Sequence, residues 1–78
     1  ENMKKKIEIG KKYKHKPSSL PYIVHGIYND ASGYEETGIL KMESTVLYEQ
    51  LEDGEVSPKG TMWTRSIIEF IEFFEMIE

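Results

Sequence analysis

Apolar and polar positions alternate along much of this chain, and short gaps rich in Gly, Pro, Asn and Ser interrupt the alternation. Lys11-Lys12-Tyr13-Lys14-His15-Lys16 alternates residue by residue. That predicts a short strand with Tyr13 and His15 on one face. Pro17-Ser18-Ser19-Leu20-Pro21 predicts a turn, because each proline fixes its own φ and biases the residue before it to extended backbone. Tyr22 to Tyr28 carries the strongest strand signal, being rich in β-branched and aromatic residues. Strict alternation puts Tyr22, Val24, Gly26 and Tyr28 on one face and Ile23, His25 and Ile27 on the other. Gly26 inside the strand predicts a bulge or sharp bend.

Asn29-Asp30-Ala31-Ser32-Gly33 is turn chemistry, since Asx and Ser side chains bond their own backbone. Residues 38–42 and 44–51 read as strand, the second with Val46, Tyr48 and Gln50 alternating against Leu47, Glu49 and Leu51. Glu52-Asp53-Gly54 and Pro58-Lys59-Gly60 turn the chain, and Asp-Gly favours a hairpin. Thr61 to Arg65 is a further short strand around Trp63. Ser66 followed by Glu69 fits a capping box, which predicts a helical turn over 67–71. Glutamates at 69, 72, 75 and 78 spiral around a helix rather than forming one polar stripe. The run therefore reads as a short turn followed by an extended segment at 72–77, with a continuous helix as the alternative. Five or six short strands with one helical turn predict a mainly β, small-barrel fold.

The 78 residues suit one domain. A chain of this size buries only roughly 60% of its unfolded surface, so a binding site is expected as a surface groove or an oligomer interface. Cysteine is absent, which excludes a disulfide framework, a thiolate zinc site and a cysteine nucleophile. That composition points to the cytoplasm. No apolar run approaches the roughly 20 residues needed to span a bilayer, and no signal-peptide core follows the Lys-rich start. Met3 reads as the native start. Charge is uneven: residues 1–16 sum to +5 and the rest to −9, for a net −4. The basic run either steers an anionic partner or pairs with the acidic remainder.

Tyr13-x-His15, Tyr22-x-Val24, Gly26, Val46-x-Tyr48, Leu51, Trp63-x-Arg65 and Phe70 follow one another in order over roughly residues 9–72. This succession resembles a small bacterial and phage family, the domain of unknown function 1653-like family. The resemblance implies an SH3-like barrel over residues 10–78, preceded by a basic tail or first strand at 1–9. It implies no agreed activity. Two departures stand out: Ser66 occupies a position where that family favours proline, and the connection at 52–60 is longer than usual.

The chain contains no His-Glu-x-x-His metal pattern, no Gly-x-Ser-x-Gly elbow and no Walker loop. No catalytic residue, metal or cofactor is expected. His25 reads as a structural histidine bonded to backbone. The Lys-and-Tyr run at 11–16 has the interleaving that stacks bases, but the acidic remainder argues against a nucleic-acid groove. The ligand-binding candidates are Tyr13, His15, Tyr22, Tyr28, Tyr48, Trp63 and Arg65. Aromatic groups with polar tips line binding sites, and an Arg can clamp carboxylate or phosphate with two parallel bonds. The competing expectation is that Trp63 and several tyrosines fill the core while Arg65 pairs with Glu69. The expected function is a non-catalytic binding module for a small anionic ligand or nucleotide. One version is a phage-encoded sponge that captures an immune signalling nucleotide. The alternative is a protein–protein adaptor or inhibitor, acting through the apolar run from Ile67 to Ile77 or as a homo-oligomer.

Overall fold

The computed structural model describes residues 7–40 and 44–77. The protein is mainly β. Five strands, β1 (Lys12–His15), β2 (Pro21–Asn29), β3 (Ser44–Gln50), β4 (Met62–Ser66) and β5 (Phe74–Met76), form one antiparallel sheet in the order β4-β3-β2-β1-β5. Helix α1 (Tyr34–Thr37) lies between β2 and β3, and α2 (Ile67–Phe73) joins β4 to β5. The latter connection runs from one edge of the sheet to the other. Among the described residues no ladder joins β4 to β5, so the sheet is open and the expected closed barrel is not formed by hydrogen bonds. Helix α2 spans that gap instead.

A bulge in β2 decides which side chains face inward. Val24 pairs with Tyr48 of β3, but the next partner of Leu47 is Gly26, so His25 is the extra residue. One added residue reverses the alternation that follows it. Tyr22 and Val24 therefore point inward, whereas Tyr28 is carried to the outer face and is 58% exposed. Its ring folds back over Gly26, where a Cβ would approach Tyr28 Cε2 and Oη to 2.5 Å. Glycine is needed here for that close approach.

The inward face of the sheet and one side of α2 make the core: Tyr13, Tyr22, Val24, Val46, Tyr48, Phe70 and Phe74. Phe70 is fully buried, stacks on Phe74 at 4.0 Å between centroids, and meets the edges of Tyr13 and Tyr48 at 5.3 and 5.1 Å. Burying one such ring contributes about 1.5–3 kcal/mol through the hydrophobic effect.

At the C-terminus Ser66 accepts a hydrogen bond from Glu69 N–H at 3.2 Å and caps α2, as the sequence predicts. The helix ends where Phe74 turns extended and pairs with His15 of β1. Turn-then-strand is thus the observed form, and the continuous helix is not. Phe70 and Phe74 of the apolar run are core, while Ile68, Met76 and Ile77 remain exposed.

Other expectations fail locally. Residues 38–40 are not strand, and 41–42 lie outside the described residues. Gly38 instead terminates α1 with φ of 72°. The Asp53-Gly54 pair makes no tight hairpin, because the β3–β4 link is a broad loop stitched by Asp53 Oδ1 to Lys59 N–H at 2.8 Å and by Gly54 N–H to Ser57 O at 2.8 Å. Most of the basic tail, residues 1–6, lies outside the described residues. Within the basic run, Lys14 pairs with Glu75 at 3.2 Å. Among the described residues no helix is long and apolar enough to cross a membrane.

Candidate functional site

Helix α2 fills only part of the concave face of the sheet. Beyond Phe70 and Phe74 the face opens into a groove of about 810 Å³. The strands supply its floor: Tyr22 from β2, Tyr48 from β3, Trp63 and Arg65 from β4, His15 from β1 and Phe74 from β5. They meet there because Tyr48 stands opposite Trp63 and His15 opposite Phe74 in the two ladders. The turn after β1 gives one wall with Pro17, Ser18 and Leu20, and the β3–β4 loop gives the other with Asp53 to Ser57.

The floor is aromatic. Tyr22, Tyr48 and Phe74 contact one another edge-on at 5.2–5.5 Å. Arg65 lies over this bed, its guanidinium carbon 5.4 Å from the Phe73 ring centre and 5.7 Å from that of Phe74. Such contacts hold a cation in place without neutralising it. Among the described residues the Lys14–Glu75 ion pair and the His25–Glu49 hydrogen bond both leave Arg65 out. The expected partnership with Glu69 is not made. Burial pushes the Tyr22 and Tyr48 phenols up, and the Arg65 charge pulls both back. Burial and then Arg65 hold His15 below the usual imidazole value, so it is neutral near pH 7.

His15 Nδ1 shares a 2.7 Å hydrogen bond with Ser18 Oγ. The same Oγ accepts from Leu20 N–H at 3.3 Å, and Ser19 adopts left-handed backbone with φ of 65° to complete the turn. A serine and a histidine in contact invite a catalytic reading. Among the described residues no carboxylate orients the other ring nitrogen, which is what the base of a triad requires. The contact clamps the turn against β1.

Gln50 is the residue that sequence reading missed. It is fully buried, and all four of its amide hydrogen-bonding positions are used. Nε2 donates to Glu52 O at 3.0 Å and Ser57 O at 2.9 Å; Oε1 accepts from Ser57 Oγ at 2.7 Å and Trp63 Nε1 at 3.0 Å. One side chain thereby fixes both the loop wall and the indole. The signal was available: Gln50 is the polar member of the Val46, Tyr48, Gln50 face, where a polar residue must satisfy its bonds internally.

No protein-family model, curated protein or solved structure matches this chain. The site is therefore read from its geometry.

Five of the seven candidate residues, His15, Tyr22, Tyr48, Trp63 and Arg65, share the groove. Tyr13 does not. It is buried against Phe70 on the far side of the aromatic layer, and its hydroxyl accepts from Glu8 N–H at 2.9 Å. Tyr28 does not either, since the bulge carries it to the outer face. Trp63 is 39% exposed; it lines the groove rather than filling the core. His25 bonds Glu49 Oε1 at 2.7 Å across the outer face, so its partner is a side chain and not backbone.

What this arrangement offers is a guanidinium with no ion-pair partner among the described residues, on an aromatic floor beside a neutral imidazole and two phenols. Asp53 and Glu55 stand at the loop wall. The Trp63 indole N–H is committed to Gln50 and is unavailable to a ligand.

Proposed function

We propose that this chain is a non-catalytic binding module of the SH3-like barrel type that captures a small, flat, anionic ligand such as a nucleotide. The strand order, the bulged β2 and the helix linking the outer strands support the SH3-like reading. The observation that carries the ligand reading is Arg65, held on Phe73 and Phe74 at the groove floor with no carboxylate partner among the described residues. A guanidinium so placed presents its fork to a carboxylate or phosphate, and the flanking rings accept a planar group by stacking. The carboxylates of Asp53 and Glu55 oppose a highly charged polyanion, which favours a ligand carrying one or two anionic groups.

Titration calorimetry against a panel of nucleotides and cyclic nucleotides tests this reading. Heat is expected for at least one member, with affinity falling by about 10- to 100-fold in Arg65→Lys, where the two-pronged contact is lost. Absence of heat with every member, at high protein concentration, removes the nucleotide version. A sponge for a signalling nucleotide is the form of this function that a positive result would favour.

The adaptor reading has less behind it. Two of the three phenylalanines it relied on, Phe70 and Phe74, are consumed by the core, and Phe73 packs against it. Ile68, Met76 and Ile77 remain for a partner.

A further inference from the structure

The two edges of the sheet are not alike. β5 is three residues long and carries Glu75, paired to Lys14 at 3.2 Å. Short, charged edges resist pairing with another chain. β4 reads Met-Trp-Thr-Arg-Ser over five residues, with Met62 47% exposed. It has no proline, no lysine and no bulge to blunt it.

The ladder fixes which groups of β4 face outward. Gln50 N–H donates to Thr61 O at 2.9 Å, and antiparallel bonds fall on alternate residues. The backbones of Trp63 and Arg65 therefore turn to β3, and those of Met62 and Thr64 turn away from it. Among the described residues no backbone partner meets the N–H or C=O of Thr64 on the outward side. Unpaired strand edges of this kind are templates for another strand.

We propose that two copies of this chain pair antiparallel through their β4 edges, about a two-fold axis at Thr64. Each Thr64 N–H then donates to the partner's Thr64 carbonyl. An axis at Trp63 would also pair outward backbone groups, Met62 with the partner's Thr64, but it sets Arg65 and Ser66 against residues outside the partner's strand; the axis at Thr64, the middle residue of β4, pairs all five. In the Thr64-centred register Trp63 stands opposite the partner's Arg65, and Arg65 opposite the partner's Trp63. These are non-hydrogen-bonded positions, where side chains come closest, so each Trp63 ring meets the stem of the partner's Arg65 while the guanidinium stays over Phe73 and Phe74. Both pairs lie on the groove face. The two grooves become one trough with two guanidiniums, suited to a ligand with two anionic groups. That last consequence rests on the groove reading; the strand pairing does not.

Sedimentation equilibrium of the full chain, from low to high micromolar, tests the pairing. The mass is expected to rise to twice the 9.1 kDa of one chain. Thr64→Pro removes the central N–H, leaves the bonds to β3 untouched, and is tolerated on an edge. It should weaken the dimer by about 100-fold, two hydrogen bonds being lost per pair. Thr64→Lys sets two like charges across the axis and should weaken it in a salt-sensitive way, which gives the answer if the proline variant fails to fold. A monomer at all concentrations, or a dimer that neither variant weakens, overturns the proposal. A monomer that still takes up a nucleotide leaves the groove reading standing, whereas a dimer silent in calorimetry removes that reading and keeps the pairing.

Discussion

Replacing Gln50 by methionine keeps the volume and the buried position but deletes every hydrogen bond of the amide. Four bonds disappear: two carbonyls, one hydroxyl and one indole N–H lose their partner. At about 0.5–1.5 kcal/mol each the full loss would reach several kcal/mol. Glu52 and Trp63 are exposed and can turn to water, so the expected cost is about 2–3 kcal/mol. A domain of this length has roughly 4–12 kcal/mol in total. Urea unfolding should show a lower midpoint at unchanged slope. Trp63, the one tryptophan, should report the released indole by a shift in its emission before unfolding begins. Gln50→Glu separates the hydrogen-bond argument from packing. A carboxylate there faces the two carbonyls that Nε2 now serves, so its folded pKa is raised above the ordinary value. Its stability is then greatest below the unfolded pKa of about 4.3 and is lost as pH rises. A methionine variant that loses less than about 0.5 kcal/mol, or a glutamate variant that gains stability with rising pH, would refute the account of Gln50 as a satisfied hub.

The remaining expectations are briefer. Phe70→Ala should cost about 3–5 kcal/mol and leave a largely unfolded population by circular dichroism; a cooperative transition near the wild-type midpoint would contradict the central place given to this ring. Gly26→Ala forces the exposed Tyr28 ring to swing away and should cost about 1 kcal/mol or less, since a flexible side chain yields rather than backbone; the same substitution in a Tyr28→Ala background should cost less still. His15 is held below its unfolded value. Its contribution is therefore present above about pH 6.5 and fades as pH falls, and His15→Gln should flatten the stability profile between pH 7 and 5. An anion bound at Arg65 reverses that preference, so ligand affinity should strengthen on acidification in the wild type and not in His15→Gln.

How much of this was legible in the sequence depends on whether local chemistry or tertiary geometry decided the matter. The strands at Pro21–Asn29 and Ser44–Gln50, the Ser66 cap and the turn-then-strand ending were readable because each is specified by neighbours within a few residues. Gly26 marked the bulge, but the sequence did not indicate that the extra residue would be His25, and that one residue sends Tyr28 outward. Tyr13 and Tyr48 look equivalent in the alternation, and both are buried against Phe70; only the strand order, which sets β3 beside β4 and its loop, makes Tyr48 border the groove as well. Helix α1 was missed because its four residues have no apolar face and no side-chain cap, so nothing periodic announces it.

The groove is a consequence of how little chain there is. A sheet that curls around an interior must be filled from somewhere, and α2, at seven residues, supplies one ring at the centre and one at its end. The half of the concave face nearer the β3–β4 loop is left open, lined by rings too large to collapse onto one another. An open aromatic face ordinarily invites non-specific association. Here a buried amide holds the loop and the indole together, and the Arg65 guanidinium keeps the floor polar. Gln50 confers no advantage in burial that leucine would not match. Its retention on an apolar face makes sense if the position of Trp63 and the Asp53–Ser57 wall matters more than the stability of the domain. Preorganisation of that kind lowers the entropy lost on binding, and it fits a groove shaped to receive a ligand better than a cavity the fold merely failed to fill.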